Sequence, residues 1–301
     1  MATDPFHKCD VIRCQAPAKI NLYLHVLGRR LDGYHDIDTL IVFASVSDQV
    51  SIARSHQLTL QLAGPFAHDL KTINRTNNLV VAAVHSLAEA CGESPSVSIS
   101  LQKNLPVAAG LGGGSSDAAA TLRALAQLWS LDRSDVRLQA VAESLGADVP
   151  ACLVQCPVTV SGRGEITSQA PELPSAWLVL VNPGIPLATA DVFRQFSVVG
   201  SHPAPLGEPP GGLDKMVAAL TARSNDLEMP AMRLVPQISK VIAVLSTSDG
   251  CLMARMSGSG ATCFGVYADE AAAIAAAEII GREHDSWWVS SARMLGSSKV
   301  E

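Results

Sequence analysis

Residues 105 to 118 interrupt the periodic pattern of this chain and limit what it can become. The segment reads Leu105-Pro106-Val107-Ala108-Ala109-Gly110-Leu111-Gly112-Gly113-Gly114-Ser115-Ser116-Asp117-Ala118. Before it, Val97, Ile99 and Leu101 alternate with polar residues, the period of a strand. After it, Leu122, Leu125, Leu128 and Trp129 fall on one side of a helix predicted over Ala118–Trp129. Glycines in such a strand–loop–helix junction let the backbone turn sharply and approach a ligand closely, because no Cβ intervenes. The N–H groups at the helix start then face any anion held there, and the helix dipole assists. Ser115 and Ser116 add hydroxyls that can bond a phosphate or help hold a metal ion. Read alone, the segment is either a phosphate cradle or a flexible loop that caps a helix. It is not a Walker loop, which requires a lysine before its final Ser/Thr. Nor is it a Rossmann fingerprint, because Ser115 stands where the third glycine belongs.

The remaining pattern mixes strands and helices. Ile20, Leu22, Leu24 and Val26 alternate with Lys19, Asn21, Tyr23 and His25, which predicts a strand with one apolar and one polar face. A turn follows over Gly28–Tyr34. Leu40–Phe43, Val50–Ala53 and Leu58–Leu62 read as further strands. Leu79–Cys91 is helical in period, with Asn78 placed to cap its start and Gly92 its end. Another helix runs from Ser134 to Gly146. In the second half, Trp177–Val181, Leu252–Met256 and Ala261–Tyr267 read as strands, and Met216–Ala222, Ile238–Leu245 and Glu270–Ile280 as helices. Ser201–Gly212, rich in proline and glycine, reads as a loop. Interleaved strands and helices with hairpin-like neighbours favour an α+β class over a doubly wound sheet.

At 301 residues the chain is long enough for two modest domains. The expected limits are 1–156 and 157–287, with about 288–301 rejoining the first. A net charge of −6 and no basic run argue against nucleic acid and anionic membrane as partners. Met1–Asp10 lacks the apolar core of a secretory signal, and no apolar run is long enough to span a bilayer, so a cytoplasmic protein is expected. Seven scattered cysteines without a C-x-x-C pair argue against a disulfide framework or a structural zinc site.

Pro106-x-x-x-Gly110-Leu111-Gly112 followed by Ser115-Ser116 resembles the phosphate loop of the galactokinase, homoserine, mevalonate and phosphomevalonate (GHMP) kinase superfamily. The version with Gly113, Gly114 and Asp117 is similar to that of its diphosphocytidyl-methylerythritol kinases. Pro17-Ala18-Lys19-Ile20-Asn21-Leu22, Arg30-x-Asp32-Gly33-Tyr34-His35, Gly146-Ala147-Asp148-Val149-Pro150 and Ser257-Gly258-Ser259-Gly260 resemble further motifs of that family, in family order.

The resemblance implies a two-domain GHMP-kinase fold. Its N-terminal domain is like domain 2 of ribosomal protein S5, and its C-terminal domain is ferredoxin-like. It implies transfer of the γ-phosphoryl of ATP, with Mg²⁺, to a hydroxyl of a small cytidine diphosphate sugar-alcohol in isoprenoid precursor synthesis, by a monomer or weak homodimer. Homoserine or mevalonate-type kinase activity is the alternative. Asp148 is then the proton acceptor rather than an ordinary N-cap, and Lys19 the ammonium that pairs with it. Pro106, Val107, Ala108, Ala109, Gly110, Leu111, Gly112, Gly113, Gly114, Ser115 and Ser116 hold the phosphates. Mg²⁺ is carried by ATP with the help of Ser115 or Ser116 and has no dedicated protein cage. Asn78 and Lys103 lie near adenine and its ribose, unless they are a helix cap and a surface lysine. Tyr34 and Phe193 stack on cytosine, His35 bonds its edge, and Asn21 touches the substrate. Gly258 and Ser259 wall the site, or merely form a tight turn.

Overall fold

A computed structural model describes residues 11–71, 78–197 and 201–296. The expectations placed on Met1–Asp10 and on the last residues of the chain lie outside these. In chain order the elements are β1 (Ile12–Arg29), β2 (His35–Arg54), β3 (Thr59–Ala63), α1 (Ala67–Lys71), α2 (Leu79–Cys91), β4 (Val97–Gln102), α3 (Gly113–Leu128), α4 (Val136–Leu145) and α5 (Val149–Val154). There follow β5 (Val158–Gly162), β6 (Ile166–Gln169), β7 (Trp177–Asn182), α6 (Thr189–Gln195), α7 (Leu213–Thr221), α8 (Glu228–Leu234), α9 (Gln237–Thr247), β8 (Met253–Met256), β9 (Cys263–Tyr267), α10 (Glu270–Glu283) and β10 (Trp288–Leu295). The class is α+β.

The chain forms two compact units, and β1, β2 and the glycine-rich loop each run from one into the other. Of the described residues, the first unit holds those up to Ala16, those of Ser47–Val107 and Gly114–Leu153. Its β4 lies between the second half of β2, antiparallel with Val50 opposite Leu101, and β3, parallel with Leu60 opposite Ile99. Helix α2 packs on α4 and buries Val80, Ala83, Val84 and Leu87. Its start is capped as the sequence predicts, Asn78 Oδ1 accepting the Val80 N–H at 2.9 Å, and Gly92 at φ 67° closes its end.

The second unit holds Pro17–Val46, Ala108–Gly113 and the residues from Val154 onward. Here β7 lies between β10 and β9, and β8 flanks β9, all antiparallel. The last residues of β10, Met294 and Leu295, reach Ala44 and Phe43 of β2, which also pairs with β5. Helices α9 and α10 pack against this sheet over a core that includes Val179, Val181, Ile238, Val241, Leu245, Cys263 and Ile280.

Strand β1 is buried without a break from Ala16 to Val26, its polar face included. Three expectations need correction. Leu40–Phe43 and Val50–Ala53 belong to one continuous strand, β2. Helix α3 begins at Gly113, five residues before Ala118, because glycines leave no side-chain period to read. Helix α4 begins at Val136 rather than Ser134, capped by Asp135, whose side chain accepts from Arg137 N.

Candidate active site

The glycine-rich loop takes its shape from four carbonyls. Ala108 O accepts the Leu187 N–H at 3.3 Å and Ala109 O the Thr262 N–H at 3.1 Å. Gly110 O accepts the Ser257 hydroxyl at 3.1 Å, and Leu111 O the Lys19 N–H at 2.9 Å. With four successive acceptors turned to protein donors, the adjoining amides face elsewhere. Among the described residues no hydrogen bond uses the N–H of Gly110, Leu111 or Gly112. Gly110 and Gly112 have φ 73° and 60°, a region that costs an L-residue about 1–2 kcal/mol. A Cβ on Gly110 would stand 2.5 Å from Ser257 O, and one on Gly112 3.1 Å from Lys19 Cβ and Cε. At Gly110 the clash is with backbone; at Gly112 the Lys19 stem would have to give by a few tenths of an ångström, at a φ that already strains an L-residue. The loop then enters the first turn of α3, where Ser115 is half-buried and Ser116 fully buried.

The Lys19 side chain thus lies against the Cα of Gly112 and is 5% exposed. Two residues on, Asn21 is also buried. Its backbone N–H is accepted by Ser257 Oγ at 3.1 Å, and its Nδ2 donates to Thr39 Oγ1 at 2.9 Å. Asn21 Oδ1 is buried and has no partner among the described residues. Beyond it, the Tyr23 hydroxyl donates to Asp38, and burial first, then the Asp38 charge, push this phenol well above its ordinary range.

The expected turn at Gly258 and Ser259 is present between β8 and β9. Asn225 Nδ2 fixes it by donating to both Met256 O and Gly258 O at 2.8 Å, while Ser259 Oγ lies 2.8 Å from Thr189 Oγ1. His35 stacks on Phe193, with ring centroids 5.0 Å apart and 26° between planes. Burial, then Arg29, lower the pKa of His35 below the usual histidine value. Tyr34 is exposed, and the ring above which Arg163 sits, 5.2 Å from its centroid, is its own. The ring facing Phe193 is therefore His35, not Tyr34.

In the first unit, Asp148 sits just before α5, half-buried, and its carbonyl accepts the Cys152 N–H at 3.1 Å. Lys103 is not a surface lysine: its ammonium is held between Asp48 and Asp117, and the residue is 1% exposed.

Sequence reasoning missed Asp48, Thr39 and Asn225, and gave Ser257 no role of its own although it opens a segment noted for its resemblance. A lone Asp or Thr inside a strand pattern carries no such signal.

The family model for the GHMP kinases N terminal domain matches residues 78–155, and that for GHMP kinases C terminal matches residues 212–286. A 4-diphosphocytidyl-2-C-methyl-D-erythritol kinase of Paramagnetospirillum magneticum is 47% identical, with 93% of this chain and 98% of that protein covered. The crystal structure of a 4-(cytidine 5'-diphospho)-2C-methyl-D-erythritol kinase is 33% identical at a TM-score of 0.77, covering 94% of this chain and 99% of that one. A homoserine kinase from Cytophaga hutchinsonii shares the fold at a TM-score of 0.70 and 17% identity, with 99% and 98% covered.

Proposed function

This chain belongs to the GHMP kinases, in the branch of the 4-diphosphocytidyl-2-C-methyl-D-erythritol kinases, and on that premise we propose that it transfers the γ-phosphoryl group of ATP to the 2-hydroxyl of 4-diphosphocytidyl-2-C-methyl-D-erythritol, a step toward isoprenoid precursors. The observation that carries this reading is the loop in which four consecutive carbonyls are tied back to protein. Such a loop presents amides to an anion at the start of a helix, which suits a triphosphate.

Bound ATP supplies the phosphoryl group, with Mg²⁺ offsetting the charge of its phosphates. The segment Pro106–Ser116 holds phosphate oxygens through its N–H groups. The half-buried Ser115 hydroxyl, at the start of α3, is the side chain suited to assist Mg²⁺ on the triphosphate. Ser116, fully buried, suits that task less. Asn78 uses Oδ1 as a helix cap, and a nucleotide contact there falls to its amide nitrogen.

Asp148 orients the acceptor hydroxyl and takes its proton, and Lys19 balances negative charge at the reacting oxygens. Tyr34, His35 and Phe193 hold cytosine, at about 1–3 kcal/mol for each stacked base. Asn21, Gly258 and Ser259 meet the rest of the acceptor.

The test is ADP release by purified protein with ATP, Mg²⁺ and, separately, the cytidyl acceptor, homoserine and mevalonate. Turnover is expected with the cytidyl acceptor. Turnover with homoserine or mevalonate alone, or none with any of the three, overturns the proposal.

A further inference from the structure

We propose that Thr39 is a positioning residue, which locks the Asn21 amide so that its carbonyl oxygen is offered to the acceptor substrate and must be met there by a hydroxyl donor. The inference rests on the function proposed above and adds the polarity of one contact.

The argument is a count of hydrogens. A threonine hydroxyl has one proton to give. Thr39 Oγ1 gives it to the backbone carbonyl of Tyr23, at 2.5 Å. Toward Asn21, 2.9 Å away, the same oxygen can only accept. The amide must therefore turn Nδ2 to Thr39, because the flipped orientation would set two oxygens without a proton between them. The second hydroxyl beside Asn21 is committed in the same way: Ser257 Oγ gives its proton to Gly110 O and accepts the Asn21 backbone N–H. Neither neighbour can donate to Asn21 Oδ1.

That oxygen is accordingly left buried and unpartnered among the described residues, on a side chain only 2% exposed. A buried acceptor without a donor is costly and calls for an explanation. The space beside it gives one: Oδ1 lies 3.1 Å from where a Cβ of residue 258 would stand, and that residue is Gly258. An alanine there would fill the ground next to Oδ1. A ligand hydroxyl placed near Gly258 would satisfy the orphan, whereas an ether or carbonyl oxygen would face it lone pair to lone pair.

Thr39→Val keeps the shape and removes the hydroxyl, and Thr39→Ser restores it. Both are assayed on full-length protein at a temperature where circular dichroism shows them folded. Thr39→Val is expected to raise KM for the cytidyl acceptor about tenfold while KM for ATP stays within about twofold, and Thr39→Ser to recover most of the loss. Analogues in which each free hydroxyl of the tetritol is replaced in turn by hydrogen supply the second readout. At least one should bind the parent about tenfold more weakly than the full substrate, with that gap closed in Thr39→Val.

The Asn21 side-chain NH₂ signals of ¹⁵N-labelled protein, which need no substrate, should shift in Thr39→Val and return in Thr39→Ser. Unchanged NH₂ signals in Thr39→Val refute the lock. So do an unchanged acceptor KM and undiminished discrimination in a folded Thr39→Val that turns over. A parent protein inactive on the cytidyl acceptor overturns the function proposed above, while the NH₂ signals still decide the geometry.

Discussion

Replacing Lys103 by methionine would take an ammonium out of a buried cluster that also holds two carboxyl groups. The Lys103 ammonium serves Asp48 and Asp117 together. Asp48 also collects the N–H groups of Asn104 at 2.5 Å and Leu105 at 2.8 Å. Asp117 has less support, since its Oδ1 is buried without a partner among the described residues. Burial pushes the Asp117 carboxyl up, Lys103 pulls it down and Asp48 pushes it up again, and the balance stands at about 7. The Asp117 carboxyl therefore holds its proton more tightly than a free one.

Removing one member of a buried ion pair costs about 3–5 kcal/mol, against about 5–15 kcal/mol for an ordinary fold. Methionine keeps the unbranched stem, so the loss is mainly of charge. Lys103→Met should therefore lose about 3–5 kcal/mol in urea unfolding near neutral pH. The sign of its pH dependence follows from linkage. A carboxyl raised from 3.8 to about 7 binds more protons folded than unfolded, so its contribution is complete below about pH 4 and is lost as pH rises through about 7. Without the ammonium that decline should steepen, and Asp117→Asn in the parent should flatten it. A loss below about 1 kcal/mol, the worth of an exposed pair, would refute the claim that this ammonium is desolvated.

Other outcomes are open to direct measurement. Gly112→Ala should abolish detectable nucleotide binding in calorimetry while the protein stays folded, because its Cβ meets Lys19 at a left-handed φ; unchanged affinity would mean that the loop does not bind as described. Asp148→Ala and Lys19→Ala should each lower kcat by at least about 10²-fold; near-parental rates in either would remove that residue from the chemistry. Tyr34→Ala should act chiefly on KM for the cytidyl acceptor, and an effect confined to kcat would contradict a stacking role. The His35 imidazole should titrate below the ordinary 6.5, because burial disfavours its charged form. The folded state then binds fewer protons there than the unfolded one, and this group's contribution rises with pH through that interval. A midpoint above 6.5 by NMR would contradict it.

Local rules were legible where one side-chain period decides the outcome. Val97–Gln102 and Leu79–Cys91 come out residue for residue, the latter because Asn78 and Gly92 mark both ends. The rules failed where burial came from distant chain. Lys19, Asn21 and His25 read as the polar face of a strand, yet loops from residues 108–112 and 257–260 close over part of it, which alternation along one strand cannot disclose. The burial of Lys103 could not be read from its surroundings, because its partners stand 55 and 14 residues away. The short helices α6 and α8, each seven residues, hold too few turns to show a period. The loop declared itself through its glycines, but the four donors that shape it left no trace in its own sequence.

Those donors come from Leu187, Thr262, Ser257 and Lys19, segments scattered over most of the chain's length. The peptide 106–116 transplanted onto a foreign strand and helix would thus carry its glycines and none of its grip. In its native setting those contacts hold the backbone in shape, so an anion bound as proposed above would meet a curve already drawn.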